Sequence, residues 1–287
     1  MKIGIIDIGS NSVRLALSAD GKTLYKDIIT TRLSEGLSLT GKLSTAAIVR
    51  TAKAVADFKA KAERDGAESV YAFATAAVRG AVNGNDFIGY CKNHYAIDID
   101  VISGEIEAKI GLLGALGNSD GGIIDLGGAS CEVTVREGGD TVYTKSVDVG
   151  AVRLLDICGR NRDKLEKHIA EKLKEYGNFD ASQYNMYGVS GTATTLAAVK
   201  HKLKSYDPAI VHGTVLTRDE VGALAEKFLS MSVEEIKGLG EVIVWRADVI
   251  GGASLFLYRL MQYMNIDKMT VSESDNLEGY LLYRCNK

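Results

Sequence analysis

The chain has 287 residues, a formal net charge of −3, and 46% hydrophobic against 25% charged residues. These proportions exclude wholesale disorder and leave room for one large domain or two domains of ordinary size. The longest nearly apolar run, residues 249–258, is too short to cross a bilayer, and Asp7 interrupts the apolar stretch that a signal peptide would need. We therefore expect a cytoplasmic protein without a membrane partner.

Cysteine spacing and charge exclude further classes. The four cysteines lie far apart, at positions 91, 131, 158 and 285, without a Cys-x-x-Cys pair. This spacing predicts neither a zinc site nor a disulfide framework. The small net charge gives no overall attraction for a polyanion, so any positive potential has to be local. No nucleic-acid partner is expected, and a homodimer remains open.

A long-period repeat organises the chain. Residues 5–12 (IIDIGSNS) align with residues 123–130 (IIDLGGAS), and five of the eight positions are identical. After each copy the pattern predicts a β-hairpin, a helix and further strands that alternate with helices. In the first half we predict strands at 13–18, 23–29, 69–74 and 98–102, and a helix after the cap at Ser44. In the second half we predict strands at 131–136, 141–147, 185–189 and 268–271. Helices are predicted there at 163–176 and after the capping boxes at Thr217 and Ser232. Two such halves imply mixed sheets covered by helices, and we place the domain boundary near Asn118, giving domains 1–117 and 118–287.

Tight turns rich in small residues follow both repeated strands. Asp7 stands near the end of a buried strand, and the chain then turns through Gly9 with hydroxyl side chains on either side of Asn11. Backbone amides and hydroxyls in such a turn can bind an anion. Residues 125–130 offer the same arrangement, and residues 191–194 form a third small-residue turn before a helix expected near residue 195. Such turns are common singly, but two copies led by aspartates predict paired phosphate loops and suit Mg²⁺.

These residues carry a family resemblance. The paired loops resemble those of the actin, sugar-kinase and heat-shock ATPase superfamily, and the whole chain resembles the exopolyphosphatase and guanosine pentaphosphate phosphohydrolase family. The matching segments, in the family's order, are DIGSNSVRL (7–15), ATAAVR (74–79), ISGEIEA (102–108), DLGGASCE (125–132), GVSGT (188–192), RADVI (246–250) and VSESD (271–275). The resemblance implies an α/β fold of two duplicated actin-like, ribonuclease H-like domains, each with a mixed five-stranded sheet, and an active site in the interdomain cleft.

The resemblance also implies a reaction and its residues. It implies Mg²⁺-dependent hydrolysis of a terminal phosphoanhydride, with inorganic polyphosphate or a phosphorylated guanosine nucleotide (guanosine pentaphosphate) as the substrate. Glu107 matches the family's general base, and Arg79 matches an arginine on the substrate phosphates. We assign metal binding to Asp7, Asp125 and Glu132. We assign phosphate binding to Gly9, Ser10, Asn11, Ser12 and the neighbouring Arg14 in the first half, and to Gly127, Gly128, Ala129, Ser130, Gly191 and Thr192 in the second.

The residues alone leave alternatives open at two of these positions. Glu107 lies in the first turn of a predicted helix, where a carboxylate is favoured by the helix dipole whatever its function. Glu105 fits the same description. Arg79, considered alone, is typical of a solvated surface arginine.

The second loop departs from the family pattern, which usually reads Asp-hydrophobic-Gly-Gly-Gly-Ser-Thr-Glu. Here Ala129 replaces the third glycine and Cys131 replaces the threonine. If position 129 requires a positive φ, the Cβ costs on the order of 1 kcal/mol, and Ala129→Gly would raise turnover several-fold. Strand alternation places Cys131 either beside the phosphate pocket or in the core.

Two further functions compete with hydrolysis. A small-molecule kinase of the same superfamily would need an adenosine pocket and an acceptor-binding region, and the sequence assigns no segment to either. A catalytically weak module that senses polyphosphate or phosphorylated nucleotides is supported by Ala129 alone.

Overall fold

The computed structural model describes residues 1–285. Contacts between residues divide the chain into two units. The first unit comprises Met1–Gly114 together with the chain from Asn276 onward, and the second comprises Ala115–Asp275. The first division lies close to the boundary predicted at residues 117 and 118. The C-terminal segment lies within the predicted domain 118–287, but its contacts place it in the first unit.

Within the described residues, the first unit contains a five-stranded mixed sheet in the order β3-β2-β1-β4-β5. Its strands are β1 (Lys2–Ile8), β2 (Ser12–Ala19), β3 (Lys22–Thr30), β4 (Ser69–Ala74) and β5 (Ile99–Val101). The β1–β2–β3 meander is antiparallel, whereas β4 pairs with β1 and β5 pairs with β4 in parallel. The predicted mixed sheet is confirmed here.

Helices cover both faces of this sheet, which explains the run of isoleucines in β1. The helices are α1 (Leu37–Thr40), α2 (Thr45–Arg64), α3 (Ala76–Gly80), α4 (Gly84–Tyr95), α5 (Gly104–Leu116) and the C-terminal helix (Asn276–Cys285). Ile6 and Ile8 join the core cluster built with α2 and α4, whereas Ile3 and Ile5 face the other cluster. A strand buried on both faces has no polar side to alternate with.

The C-terminal helix packs closely against α5. A Cβ atom on Gly279 would lie 1.7 Å from the carbonyl oxygen of Ile110, so glycine is what allows the two backbones to approach. On the same side of the sheet, the Tyr280 ring stacks on Phe73 with 4.4 Å between ring centroids. The Lys26 ammonium also pairs with Glu278 at 2.7 Å. These contacts account for the grouping of this helix with the first unit.

Within the described residues, the second unit contains six strands in the order β10-β11-β9-β6-β7-β8. The strands are β6 (Gly121–Leu126), β7 (Cys131–Glu137), β8 (Asp140–Val147), β9 (Met186–Val189), β10 (Val215–Thr217) and β11 (Lys268–Val271). The predicted strand count of five is wrong for this unit. The sixth strand, β10, is three residues long and pairs antiparallel with β11 at the sheet edge.

All but one of the helices that local signals predicted in the second unit begin where expected, and the helices Ala151–Cys158, Pro208–Val211 and Ile250–Tyr263 were not predicted. The helices are α6 (Ala151–Cys158), α7 (Arg162–Leu173), α8 (Ser190–Lys200), α9 (Pro208–Val211), α10 (Arg218–Ser230), α11 (Val233–Lys237) and α12 (Ile250–Tyr263), with 3₁₀ turns at Lys174–Tyr176 and Glu241–Arg246. The capping boxes at Thr217 and Ser232 are both formed. The exception is α8, which begins at Ser190 rather than near residue 195. No helix in residues 1–285 is long and apolar enough to span a membrane.

The close approach at Gly279 leads to a stability prediction. Gly279→Ala places a methyl group against the Ile110 carbonyl and should lower the free energy of unfolding by about 1–3 kcal/mol. Gly89→Ala is the matched control, because Gly89 lies inside α4 with nothing within 4 Å of an added Cβ. That change should raise stability by up to about 1 kcal/mol through helix propensity. Urea denaturation of both variants measures the contrast, and equal effects would contradict the proposed packing.

Candidate active site

The repeated loops share one backbone arrangement. In the first unit the Gly9 amide donates to the Ser12 carbonyl at 3.0 Å, and in the second the Gly127 amide donates to the Ser130 carbonyl at 3.0 Å. Each loop follows the strand that carries the repeated aspartate and leads into the next antiparallel strand. The repeat seen in the sequence is therefore reproduced at the level of individual hydrogen bonds.

The predicted phosphate-binding side chains of both loops are largely withdrawn from solvent. Ser10, Asn11 and Ser12 are 5%, 8% and 7% exposed, and the Asn11 amide donates to the Ser12 hydroxyl at 3.2 Å. Ser130 is 4% exposed. Gly9 and Gly127 remain partly exposed at the turns, while Gly128 is buried. Of these loop residues, only the two turn glycines, Gly9 and Gly127, keep partial exposure to solvent.

The repeated aspartate of the first unit faces a cation. Asp7 and Arg14 are directly opposed on β1 and β2, and the Arg14 Nε donates to Asp7 Oδ2 at 3.0 Å. Asp7 is 3% exposed, and a buried carboxylate needs such a partner. Arg14 is thus positioned beside the first loop by an ion pair within its own sheet.

The repeated aspartate of the second unit faces a second carboxylate. Asp125 and Glu132 are directly opposed on β6 and β7, at the positions that Asp7 and Arg14 occupy in the repeat, and they are 5% and 3% exposed. The Ser190 hydroxyl donates to Asp125 Oδ1, and the Ser146 hydroxyl donates to Glu132 Oε1 at 2.6 Å. Two neighbouring carboxylates on one face of a sheet form a concentrated negative site.

Both departures from the family pattern are accommodated without strain. The non-glycine residues with positive φ in residues 1–285 are Asp20, Arg32, Ala96, Ser190, Lys202 and Asn265. Ala129 is not among them, so the predicted strain is wrong and the expected gain from Ala129→Gly loses its basis. Cys131 is fully buried in the core, where it accepts a 2.9 Å hydrogen bond at its carbonyl from the Tyr176 hydroxyl. Burial raises the pKa of the Cys131 thiol well above its ordinary value.

The third small-residue segment is the first turn of α8 rather than a turn before it. Ser190 has φ +67°, an unusual conformation for a non-glycine residue, and it is the residue that reaches Asp125. Gly191 allows the Arg246 guanidinium to lie against the backbone, since an added Cβ would be 1.7 Å from a guanidinium nitrogen. The Thr192 side chain is buried and its hydroxyl donates to the Leu126 carbonyl at 3.4 Å. An amide-rich helix start of this kind favours anions.

Glu107 and Arg79 form an ion pair within the first unit. The Arg79 guanidinium donates to Glu107 Oε2 at 2.9 Å and to the Ile102 carbonyl at 2.8 Å. The Glu107 side chain is 7% exposed and the Arg79 side chain 30%. Glu105, by contrast, is exposed, so the two glutamates that the sequence could not separate differ sharply in environment.

Three polar contacts of the site were missing from the sequence prediction. Ser146 comes from β8, Ser190 from the start of α8, and Arg246 from the end of a 3₁₀ turn. Arg246 stands in a segment that matches the family, which was a usable signal. Ser190 also stands in a matching segment, GVSGT, whereas Ser146 has no local signature, because its contact joins two strands and depends on their register.

Several known proteins are similar to this chain. A family model described as the Ppx/GppA phosphatase family matches residues 15–287. Exopolyphosphatase 2 of Mycobacterium tuberculosis is 28% identical over 98% of both chains. A solved structure of the Aquifex aeolicus PPX-GPPA enzyme superposes with a TM-score of 0.79 at 27% identity, covering 99% of both chains.

Other relatives are longer than this chain. It spans 46% of a bifunctional 3-dehydroquinate synthase/phosphatase of Fusobacterium nucleatum, with 31% identity over 96% of its own length. It spans 59% of a guanosine-5'-triphosphate,3'-diphosphate pyrophosphatase of Photobacterium profundum, with 28% identity over 98% of its own length.

The left-handed backbone of Ser190 leads to a prediction that isolates its strain. Ser190→Ala and Ser190→Gly both remove the hydroxyl that bonds Asp125, but only glycine adopts φ +67° without a Cβ penalty. The glycine variant should therefore be more stable than the alanine variant by about 1 kcal/mol. Urea denaturation compares them directly, and an alanine variant of equal or greater stability would contradict the strain.

Proposed function

The chain belongs to the Ppx/GppA phosphatase family and is a hydrolase, and we propose that it releases terminal orthophosphate from inorganic polyphosphate or guanosine pentaphosphate. Similarity to an exopolyphosphatase and to a guanosine pentaphosphate-cleaving enzyme supports this substrate class. The single structural observation that carries the proposal is the buried Glu107 carboxylate held by Arg79.

Glu107 is the proposed general base. Its carboxylate accepts a proton from the water whose oxygen attacks the terminal phosphorus, while the bond from that phosphorus to the bridging oxygen breaks. The shortened polyphosphate or nucleotide leaves with the bridging oxygen, and the terminal group departs as orthophosphate. Arg79, 2.9 Å from Glu107, keeps the carboxylate in place and offers its remaining guanidinium donors to the phosphate oxygens.

The loops supply the electrostatic part of the proposal. Phosphoryl transfer depends mainly on positioning and charge neutralisation, because little covalent assistance is available to it. The amides of residues 9–12 and 127–130 are proposed to bind phosphate oxygens. The start of α8, with the Arg246 guanidinium against Gly191, and Arg14 beside the first loop provide further donors.

Asp125 and Glu132 fit a divalent cation better than Asp7 does. Two opposed and nearly buried carboxylates match the oxygen ligands that Mg²⁺ takes from proteins, whereas Arg14 already places a positive charge at Asp7. In the part of the chain that the structure describes, no group of three or more His, Cys, Asp or Glu side chains is placed to hold a metal. Mg²⁺ bound by two carboxylates keeps positions for water and phosphate oxygens, and when bound it neutralises phosphate charge.

The sensing module has lost the observation that favoured it. Its support was strain at Ala129, and that residue has no positive φ. Hydrolysis is therefore the function that the geometry supports best.

The mechanism predicts different outcomes at two neighbouring glutamates. Glu107→Gln keeps the side-chain shape but removes the base, so kcat should fall by about 10²–10⁴-fold with little change in KM. Glu105→Gln is the matched control on the same helix turn and should turn over at the parent rate, because Glu105 is exposed. Orthophosphate release from polyphosphate and from guanosine pentaphosphate measures both variants. Parent-like turnover by a folded Glu107→Gln variant would contradict the assignment of Glu107 as the general base.

The metal proposal predicts a shifted Mg²⁺ requirement. Asp125→Asn and Glu132→Gln should each raise the Mg²⁺ concentration for half-maximal activity on the order of 100-fold. Glu137→Gln is the control from the same strand, since Glu137 is exposed and bonds Tyr184 instead. Mg²⁺ titrations of activity, with calorimetry of Mg²⁺ binding, give the comparison. An unchanged requirement in well-folded Asp125→Asn and Glu132→Gln variants would refute this placement.

A further inference from the structure

The chain after β8 folds back onto the second repeated loop and binds its carbonyl groups. The Ala151 amide donates to the Gly127 carbonyl at 2.9 Å, and the Val152 and Arg153 amides donate to the Gly128 carbonyl at 2.9 and 3.0 Å. These donors come from the first turn of α6. Two successive loop carbonyls are thus fixed by backbone contacts.

A side chain holds the next carbonyl. Arg153 Nε donates to the Ala129 carbonyl at 2.7 Å, and its guanidinium also lies 3.5 Å from Asp148. The Arg153 side chain is 20% exposed, whereas Asp148 is 74% exposed, so the carbonyl contact is the better protected of the two. A hydrogen bond from a charged donor at this distance is a strong one.

Close contact between the two backbones depends on Gly150. A Cβ atom at this residue would lie 2.4 Å from the Gly128 carbonyl carbon and 2.5 Å from the Ala129 nitrogen. Its φ of −155° is ordinary, so glycine is required here for space and not for conformation. The absence of a side chain at Gly150 therefore allows the start of α6 to pack directly against the loop.

Fixing the carbonyls also fixes the amides. In a planar trans peptide, the N–H points opposite to the C=O of the same peptide unit. With the carbonyls of Gly127, Gly128 and Ala129 turned toward α6 and Arg153, the amides of residues 128, 129 and 130 are turned to the opposite side of the loop. The proposed function places the substrate phosphate on that side, where its oxygens would accept hydrogen bonds from these amides.

In the first unit, backbone amides hold the corresponding loop carbonyls, and no arginine side chain is involved in these contacts. The Ser34 amide donates to the Ser10 carbonyl at 3.0 Å, and the Thr31 and Arg32 amides donate to the Asn11 carbonyl at 3.0 and 2.8 Å. In the repeat, Asn11 corresponds to Ala129. The backbone that reaches Asn11 includes Arg32 at φ +50°, whereas the second unit has the Arg153 side chain in this role.

We propose that Arg153 is a positioning residue that aims the Ser130 amide at the substrate phosphate by holding the Ala129 carbonyl. This rests on the proposed function, because it assigns a purpose to an orientation in the loop that is proposed to bind phosphate. Arg153 itself does not touch the substrate in this account. Its removal should therefore act through the loop, on phosphate binding and on the stabilisation of charge during transfer.

The test compares two arginines that both bind carbonyl groups in the second unit. Arg153→Met removes the contact to Ala129, and Arg160→Met is the control, because Arg160 donates to the Phe228 and Met231 carbonyls at 2.7 and 2.6 Å. We expect Arg153→Met to lower kcat/KM for polyphosphate about tenfold, chiefly through KM. Arg160→Met should lose stability while keeping the parent KM. Arg153→Lys, which retains a cationic donor, should recover part of the lost kcat/KM.

Hydrogen–deuterium exchange of the substrate-free protein separates this proposal from the proposed function. Arg153→Met should accelerate exchange of the Gly127 amide, which is hydrogen-bonded to the Ser130 carbonyl across the loop, by at least about tenfold, and Arg160→Met should leave it unchanged. Unchanged exchange in Arg153→Met overturns the positioning role, whatever the parent enzyme hydrolyses. A parent-like KM for polyphosphate in that variant, or an equal rise in KM in Arg160→Met, overturns it as well. A parent protein that hydrolyses neither substrate contradicts the proposed function instead.

Discussion

The backbone hydrogen bond that closes each repeated loop is the constraint on which the proposed chemistry depends. It joins Gly9 to Ser12 in the first unit and Gly127 to Ser130 in the second, both at 3.0 Å. Closure brings the chain straight from one strand into its antiparallel neighbour. The repeated aspartate then faces a defined residue across the sheet, and the loop carbonyls face the segment that follows the hairpin. Backbone geometry thus determines which positions face the repeated aspartate and the loop carbonyls, whatever side chains stand there.

The two copies of that geometry differ in the residue that faces the repeated aspartate. The residue opposite Asp7 is Arg14, whereas the residue opposite Asp125 is Glu132. One copy therefore presents a cation beside its loop, and the other presents a pair of carboxylates suited to a metal ion. In the proposed mechanism the cation would neutralise phosphate charge, and the two carboxylates would hold Mg²⁺. Loops that share their closing hydrogen bond therefore lie beside different residues in the two units.

Much of the fold could be predicted because its signals are local. The strands at 69–74 and 268–271, the cap at Ser44 and both capping boxes depend on residues close in sequence.

Other features could not be predicted from local sequence. The edge strand β10 was missed because three residues give no periodicity. The start of α8 was placed too late because Ser190 is held at φ +67° by a contact with Asp125, 65 residues away. The return of the C-terminal helix to the first unit depends on Gly279 meeting Ile110, which no local pattern shows. Strain at Ala129 was predicted from a family pattern, and the loop has no positive φ there.

The central claim is that this chain cleaves terminal phosphoanhydrides, and the initial rate of orthophosphate release from the unmodified protein tests it most directly. Polyphosphate, guanosine pentaphosphate and ATP should be compared side by side at saturating Mg²⁺ and again with Mg²⁺ chelated. The account predicts release from polyphosphate or guanosine pentaphosphate that is faster than release from ATP and that stops when Mg²⁺ is removed. Failure of the folded protein to release orthophosphate from either polyphosphate or guanosine pentaphosphate would contradict it.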